Sequence, residues 1–125
     1  MKFISSAQAP TPGGHYSQAV EAGGLVFVSG MLPAGNNQPP MPFEDQVHSV
    51  LDHCSAVLAE AGCGFQNVVQ STVYLVGVEQ WPVFNRLYAE RFGSHRPARA
   101  VVPVPALHHG FLVEIQMVAE RPGRS

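Results

Sequence analysis

Hydrophobic residues recur along this chain with two different periods, and the changes of period mark its elements. Between positions 43 and 61, Val47, Val50, Leu51, Cys54, Val57, Leu58 and Ala61 follow i, i+3, i+4, i+7 spacing, the mark of one helical face. Glu44 and Asp45 fall in the first turn of that helix and complement its dipole; Gly62 and Gly64 stop it. A second helix is predicted over 82–92, with Pro82 in its first turn, Phe84, Leu87 and Tyr88 on one apolar face, and Gly93 closing it. Elsewhere short β-branched runs predict strands. Two of them, over 15–22 and 24–29, flank the turn signal Gly23-Gly24, and the second carries Leu25-Val26-Phe27-Val28. Val68, Val73, Tyr74 and Val76 predict a strand over 68–76. The last two strands are expected over 98–104 and 111–119, joined by a turn at 105–110. Four prolines within 31–42 exclude regular structure there. Residues 1–4 could add a further strand, and the tail Arg121-Pro122-Gly123-Arg124-Ser125 is expected to fray.

The order β-β-α-β-α-β-β predicts an α+β layer structure with two helices on one face of a mixed sheet. The strands carry apolar residues on both faces, and no third helix is available to cover the second. That open face is therefore expected to be buried against other copies of the chain. A length of 125 residues suits a single domain over 1–125. With 46% hydrophobic and only 13% charged residues, the chain is not a disordered polyampholyte. A net charge of −2 with no basic stripe argues against nucleic acid as a partner. No apolar run approaches the ~18 residues of a membrane span. The first residues, Met1-Lys2-Phe3-Ile4-Ser5-Ser6-Ala7, lack the apolar stretch of a signal peptide. A cytoplasmic protein with no membrane partner is expected.

Metal and thiol chemistry find little support. Cys54 and Cys63 are nine residues apart, which is neither a redox nor a zinc spacing, and they read as small buried hydrophobes. Of the six histidines, His48 and His53 would lie about 140° apart on a helix. His108 and His109 would point opposite ways in an extended chain. The histidines read as solvated or capping groups, and no metal is expected.

Two charges stand out because they interrupt apolar strands. Arg99 lies in Ala98-Arg99-Ala100-Val101-Val102, and Glu114 in Leu112-Val113-Glu114-Ile115-Gln116. Burying either one unpaired is costly. They could neutralise one another on a strand face, or lie on a solvated face. Alternatively, Arg99 could present its planar fork to a ligand carboxylate, with Glu114 orienting or activating water. Gly13-Gly14-His15-Tyr16-Ser17 is a glycine-rich turn without the lysine of a phosphate loop. Tyr16 could hydrogen-bond a ligand, and Ser29-Gly30 could offer a hydroxyl and backbone groups at a strand end. Nothing ties Ser17 or Ser29 to a His and an Asp as in a hydrolase triad.

Several ordered segments together resemble the Rid family, the YjgF-like reactive intermediate deaminases. They are Ala-Pro-Thr-Pro-Gly-Gly-His-Tyr-Ser-Gln-Ala at 9–19, Leu-Val-Phe-Val-Ser-Gly at 25–30 and Val-Val-Gln-Ser-Thr-Val-Tyr-Leu at 68–75. Phe-Asn-Arg-Leu-Tyr-Ala-Glu-Arg-Phe at 84–92, Arg-Pro-Ala-Arg at 96–99 and Leu-Val-Glu-Ile at 112–115 complete the set. The resemblance covers nearly the whole chain. It implies a chorismate-mutase-like homotrimer with sheets packed inward and sites in clefts between subunits. It also implies cofactor-free hydrolysis of enamines and imines, such as 2-aminoacrylate, to 2-oxo acids and ammonia. On this resemblance Arg99 matches the arginine that clamps the substrate carboxylate and Glu114 the glutamate that orients water. Tyr16, Ser29, Gly30 and Asn85 match pocket-lining positions. Val101 and Met31 stand where many members have Cys and Gln, which makes the pocket more apolar and leaves the preferred substrate side chain open. A trimeric carboxylate binder without turnover is the alternative; Glu114 counts against it, because a mere carboxylate binder gains nothing from a second negative charge. An RNA-directed or chaperone role is a third reading, and the acidic balance counts against RNA.

Overall fold

The computed structural model describes residues 1–123 and consists of one mixed six-stranded sheet with two helices. The strands are β1 (Lys2–Ile4), β2 (Ala19–Ala22), β3 (Leu25–Met31), β4 (Val68–Val76), β5 (Ala98–Val104) and β6 (Val113–Glu120). Helix α1 spans Phe43–Glu60 and α2 spans Trp81–Phe92. The spatial order is β1-β2-β3-β6-β4-β5. All neighbours are antiparallel except β4 and β5, which run parallel and are connected through α2. A parallel pair needs such a crossover, whereas β2 and β3 meet through the tight Gly23-Gly24 turn, where both glycines adopt positive φ.

Alternation along each strand sets the layers. Val26 and Val28 of β3, Val73 and Leu75 of β4, and Val113, Ile115, Met117 and Ala119 of β6 are buried on one side. There they meet Val47, Val50, Leu51, Cys54, Val57 and Leu58 of α1 and Phe84, Leu87 and Tyr88 of α2 in one cluster. The 3.6-residue stripe read from the sequence is the stripe buried. Gln46, fully buried at the start of α1, fastens that helix to the sheet. Its Nε2 donates to Met41 O at 2.9 Å, and its Oε1 accepts from Leu112 N at 2.8 Å, just before β6. The opposite face of the sheet is uncovered in the chain. Register places Phe3, Val20, Phe27 and Val118 in one row across four strands of that face. Phe3 is 69% and Phe27 46% exposed.

Four expectations are corrected. The strand expected over 15–22 is only Ala19–Ala22. Before it, Gln18 O still accepts from Ser29 N of β3 at 2.9 Å and Ser17 O from the Ser29 hydroxyl at 2.6 Å. The Gln18 amide receives Ser6 N at 2.7 Å and donates to Pro10 O at 2.9 Å, so 17–18 join β3 to the N-terminal loop without continuing the regular ladder. The strand over 24–29 runs on to Met31, through a register shift between Val28 and Met31. The strand over 111–119 starts at Val113, because His108–Gly110 forms a 3-10 turn and Phe111 is buried beneath it. The segment 1–4 does pair, as β1. At the other end Arg121 is held rather than frayed: its N–H donates to Gly24 O at 2.9 Å and its guanidinium pairs with Glu21 at 3.0 Å. The expected fraying of Arg124 and Ser125 lies outside the described residues. No helix among those residues is long and apolar enough to cross a membrane.

Candidate functional site

Arg99 stands on β5 in register with Ser71 of β4. Directly paired strand residues share a face, and Ser71 is buried on the helix side, hydrogen-bonded to the Tyr88 hydroxyl of α2. Arg99 therefore emerges toward α2. Its Nη1 donates to Asn85 Oδ1 at 3.1 Å. Its guanidinium carbon lies 5.0 Å from the ring centroid of Trp81 and 4.8 Å from that of Tyr88. Trp81, Asn85 and Tyr88 are four and three residues apart on α2, so one helical face supplies both rings and the amide. Aromatic faces attract the cation, and one hydrogen bond leaves further guanidinium N–H groups for a ligand. No ion pair among the described residues includes Arg99. Trp81 and Val101 also wall an apolar cavity of about 330 Å³ with Leu75 and Pro103.

Glu114 stands on β6 in register with Tyr74 of β4, between the buried Val113 and Ile115. It thus faces the uncovered side of the sheet. Its carboxylate lies against Gly30, occupying the space that a Cβ on residue 30 would need. Burial pushes the Glu114 carboxyl above the ordinary value, an effect partly offset by the charge of nearby His108. A raised carboxyl is a stronger base once ionised. Gly30, Tyr16, Met31, His108 and His109 line a cavity of about 490 Å³ on this side. Tyr16 is exposed there. The Ser29 hydroxyl is already committed, donating to Ser17 O at 2.6 Å. Asn37 Nδ2 donates to Gly110 O at 2.9 Å and ties the proline-rich loop to the histidine turn.

The candidate residues therefore form two groups within one chain. Arg99 and Asn85 lie together on the helix side; Glu114, Gly30, Ser29 and Tyr16 belong to the open side. β4 stands between β5 and β6, and the residues facing Arg99 and Glu114 on it, Ser71 and Tyr74, are three apart. Strand spacing and rise then put the two Cα atoms roughly 14 Å apart with side chains on opposite faces. The mutual ion pair weighed from the sequence does not form, and the two groups of one copy face opposite sides of the sheet.

Trp81 was not singled out from the sequence, Tyr88 was read only as part of an apolar helix face, and His108 and His109 were weighed only as metal ligands. The spacing of Trp81, Asn85 and Tyr88 carried a signal, but it is also that of an ordinary core face. His108 and His109 carried none, since their turn is placed by tertiary packing. Two other histidines meet loop and strand carbonyls: His53 Nδ1 is 2.9 Å from Leu32 O and His95 Nε2 is 2.7 Å from Val68 O. Both cysteines are buried and free, and burial pushes the Cys54 thiol up to about 12, far from a reactive thiolate. Among the described residues no group of three His, Cys, Asp or Glu side chains is placed to hold a metal ion.

Gly30→Ala isolates the Glu114 contact. The added methyl group meets the mobile end of a glutamate rather than backbone, so the carboxylate should move while the fold holds. The expected result is a loss of activity of about 100-fold, as for a displaced catalytic group, with a melting temperature within a few degrees of the parent. Unchanged activity would show that the contact is incidental.

Comparison with known proteins adds four findings. The family described as Endoribonuclease L-PSP matches residues 6–121. A RutC family protein of Synechocystis is 39% identical over 98% of this chain and 98% of its own. A 2-iminobutanoate/2-iminopropanoate deaminase of Bos taurus is 38% identical over 94% of this chain and 88% of its own. The crystal structure of E. coli TdcF with bound serine superposes with a TM-score of 0.89 at 29% identity, covering 97% of this chain and 99% of its own.

Proposed function

The chain belongs to the endoribonuclease L-PSP family, the Rid family of the sequence resemblance, and from that premise we propose that it hydrolyses 2-imino and 2-enamino acids to 2-oxo acids and ammonia. The site is a cleft between two copies of the chain, within a chorismate-mutase-like homotrimer in the cytoplasm. The observation that carries this reading is the placement of Arg99 and Glu114 on opposite faces of one sheet. Each has open space before it, yet a single copy cannot use both. A copy whose Glu114 face packs beside the Arg99 edge of its neighbour completes the set. The uncovered row of Phe3, Val20, Phe27 and Val118 is the kind of surface that self-association buries.

In this cleft Arg99 clamps the substrate carboxylate through two parallel N–H donors, its plane steadied by Trp81, Tyr88 and Asn85. An enamine first takes a proton at its terminal carbon to become the iminium ion. Glu114 of the neighbouring copy then accepts a proton from water as the water oxygen bonds to C2. The C=N electron pair moves to the positively charged nitrogen, which becomes a neutral amine. Glu114 returns its proton to the nitrogen, the C–N bond breaks with its electrons leaving on ammonia, and the hydroxyl loses a proton as C=O forms. The carbon is already electrophilic, so positioning substrate and one water accounts for much of the acceleration. The sum consumes one water and changes no oxidation state.

Relatives named 2-iminobutanoate/2-iminopropanoate deaminases, at 35–38% identity, support this chemistry. Serine bound to TdcF supports a small carboxylate as ligand of the fold. With 7 basic against 9 acidic residues, RNA would find little attraction. A carboxylate binder without turnover is the competing reading. An amino-acid oxidase generating 2-imino acids in situ separates the two: the protein should speed their conversion to 2-oxo acids well above the spontaneous rate. Light scattering on the same sample should give about three times the 13.4 kDa chain mass. Tight binding of pyruvate with no acceleration would favour the binder, and a stable monomer would remove the shared cleft.

A further inference from the structure

Resting on the deaminase reading, we propose that this chain prefers 2-imino acids with bulky aliphatic or aromatic side chains, which enter the apolar cavity beside Arg99. The imine carbon C2 carries three substituents. The carboxylate is held by Arg99, and the neighbouring copy's Glu114 and its water stand over one face of the planar imine. A side chain on the C2 whose carboxylate Arg99 holds lies within reach of the wall on which Arg99 rests.

That wall is Trp81, which lies under the guanidinium, and Val101, two residues beyond Arg99 and in register with the core residue Val73. Leu75, Val78, Pro103 and Gly77 complete the cavity. No lining side chain is charged, and the indole N–H of Trp81 is the only side-chain hydrogen-bonding group among them. At about 330 Å³ the space is at the small end of ligand sites, roughly 300–1,000 Å³, ample for an isobutyl or benzyl group. A methyl group would leave most of that apolar wall wet. Apart from Arg99, which the substrate carboxylate neutralises, a negative charge stands near: the Glu79 carboxylate lies 2.5 Å from where a Cβ on Gly77 would stand. It opposes substrates with acidic side chains and does nothing against apolar ones.

Each methylene fitted into a hydrophobic pocket is worth roughly 10- to 200-fold in kcat/KM. The expected result with oxidase-generated imines is therefore a kcat/KM at least about 10-fold higher for the leucine- and phenylalanine-derived imines than for the alanine-derived one. The glutamate-derived imine should be slowest. Val101→Asp and Val78→Asp place a charge on the wall and at the rim; Val78 is 69% exposed, so its variant has no folding cost to confuse the result. Each should reduce the leucine-to-alanine ratio toward one. An unmodified protein that uses the alanine-derived imine as well as the leucine-derived one overturns the proposal but leaves deamination standing. That outcome would follow if a side chain of the neighbouring copy filled the cavity. A preference that both variants leave intact also overturns it, since the selector would lie elsewhere. No acceleration of any imine overturns the deaminase reading itself.

Discussion

Arg99→Lys is expected to lower kcat/KM for every imino acid by at least about 100-fold while the assembly and its melting temperature stay near those of the parent. Lysine keeps the charge but not the planar fork, so a bidentate pair with the carboxylate becomes a single, freely rotating contact. A hydrogen bond to a charged group contributes about 1.5–3 kcal/mol. The lysine also loses the flat packing over Trp81 and Tyr88 that fixes the direction of the fork. Stability should change little, because Arg99 makes one exposed hydrogen bond, to Asn85, and no ion pair among the described residues. Steady-state kinetics beside a thermal melt checks both halves. Near-parental turnover would make the arginine a structural residue of the β5 edge.

Glu114→Gln should separate turnover from binding. The amide keeps the volume against Gly30 and much of the hydrogen bonding, but it cannot accept the proton of the attacking water. General-base effects amount to about 100- to 10,000-fold, and a fall in kcat of that size is expected. Pyruvate, which resembles the product and has no imine to hydrolyse, should bind as well as before or more tightly, because a negative charge near its carboxylate is gone. Calorimetric titration and the oxidase-coupled assay on one sample give the two readouts. Equal loss in both, or full turnover, would reject the base role.

Much of this arrangement was legible in the residue order, and the parts that were not share a cause. Helix α1 could be read because seven apolar positions repeat along one face and two glycines follow it. Loop 31–42 could be read because prolines forbid anything else. The placement of β6 between β3 and β4 could not, since period-2 alternation shows that a strand has a buried face but not which strand it pairs with. Arg99 and Glu114 were visible as charges inside apolar runs. Their opposition across the sheet needed register: Glu114 is out of phase with the buried Val113 and Ile115, whereas Arg99 is in phase with Val101, which packs against the core. The strand expected at 15–18 was lost to side-chain bonding that periodicity does not show: Gln18 ties the N-terminal loop with its amide, and the Ser29 hydroxyl takes the Ser17 carbonyl. Tyr88 was read as part of an ordinary apolar helix face and Trp81 was not read at all; only the arrival of β5 beside α2 gives them a cation to hold.

The most direct test of a site divided between copies is complementation between the two inactive variants. Arg99→Lys and Glu114→Gln chains, carrying different tags, are co-expressed, and the mixed assemblies are purified through both tags and assayed. In a head-to-tail ring of three, every assembly that contains both variants has one junction at which an intact Arg99 meets an intact Glu114. The doubly purified mixed assemblies should therefore recover roughly a third of the parental activity, far above either variant alone. If each chain instead used its own Arg99 and Glu114, every site would carry one lesion, and the mixture would stay as inactive as its components.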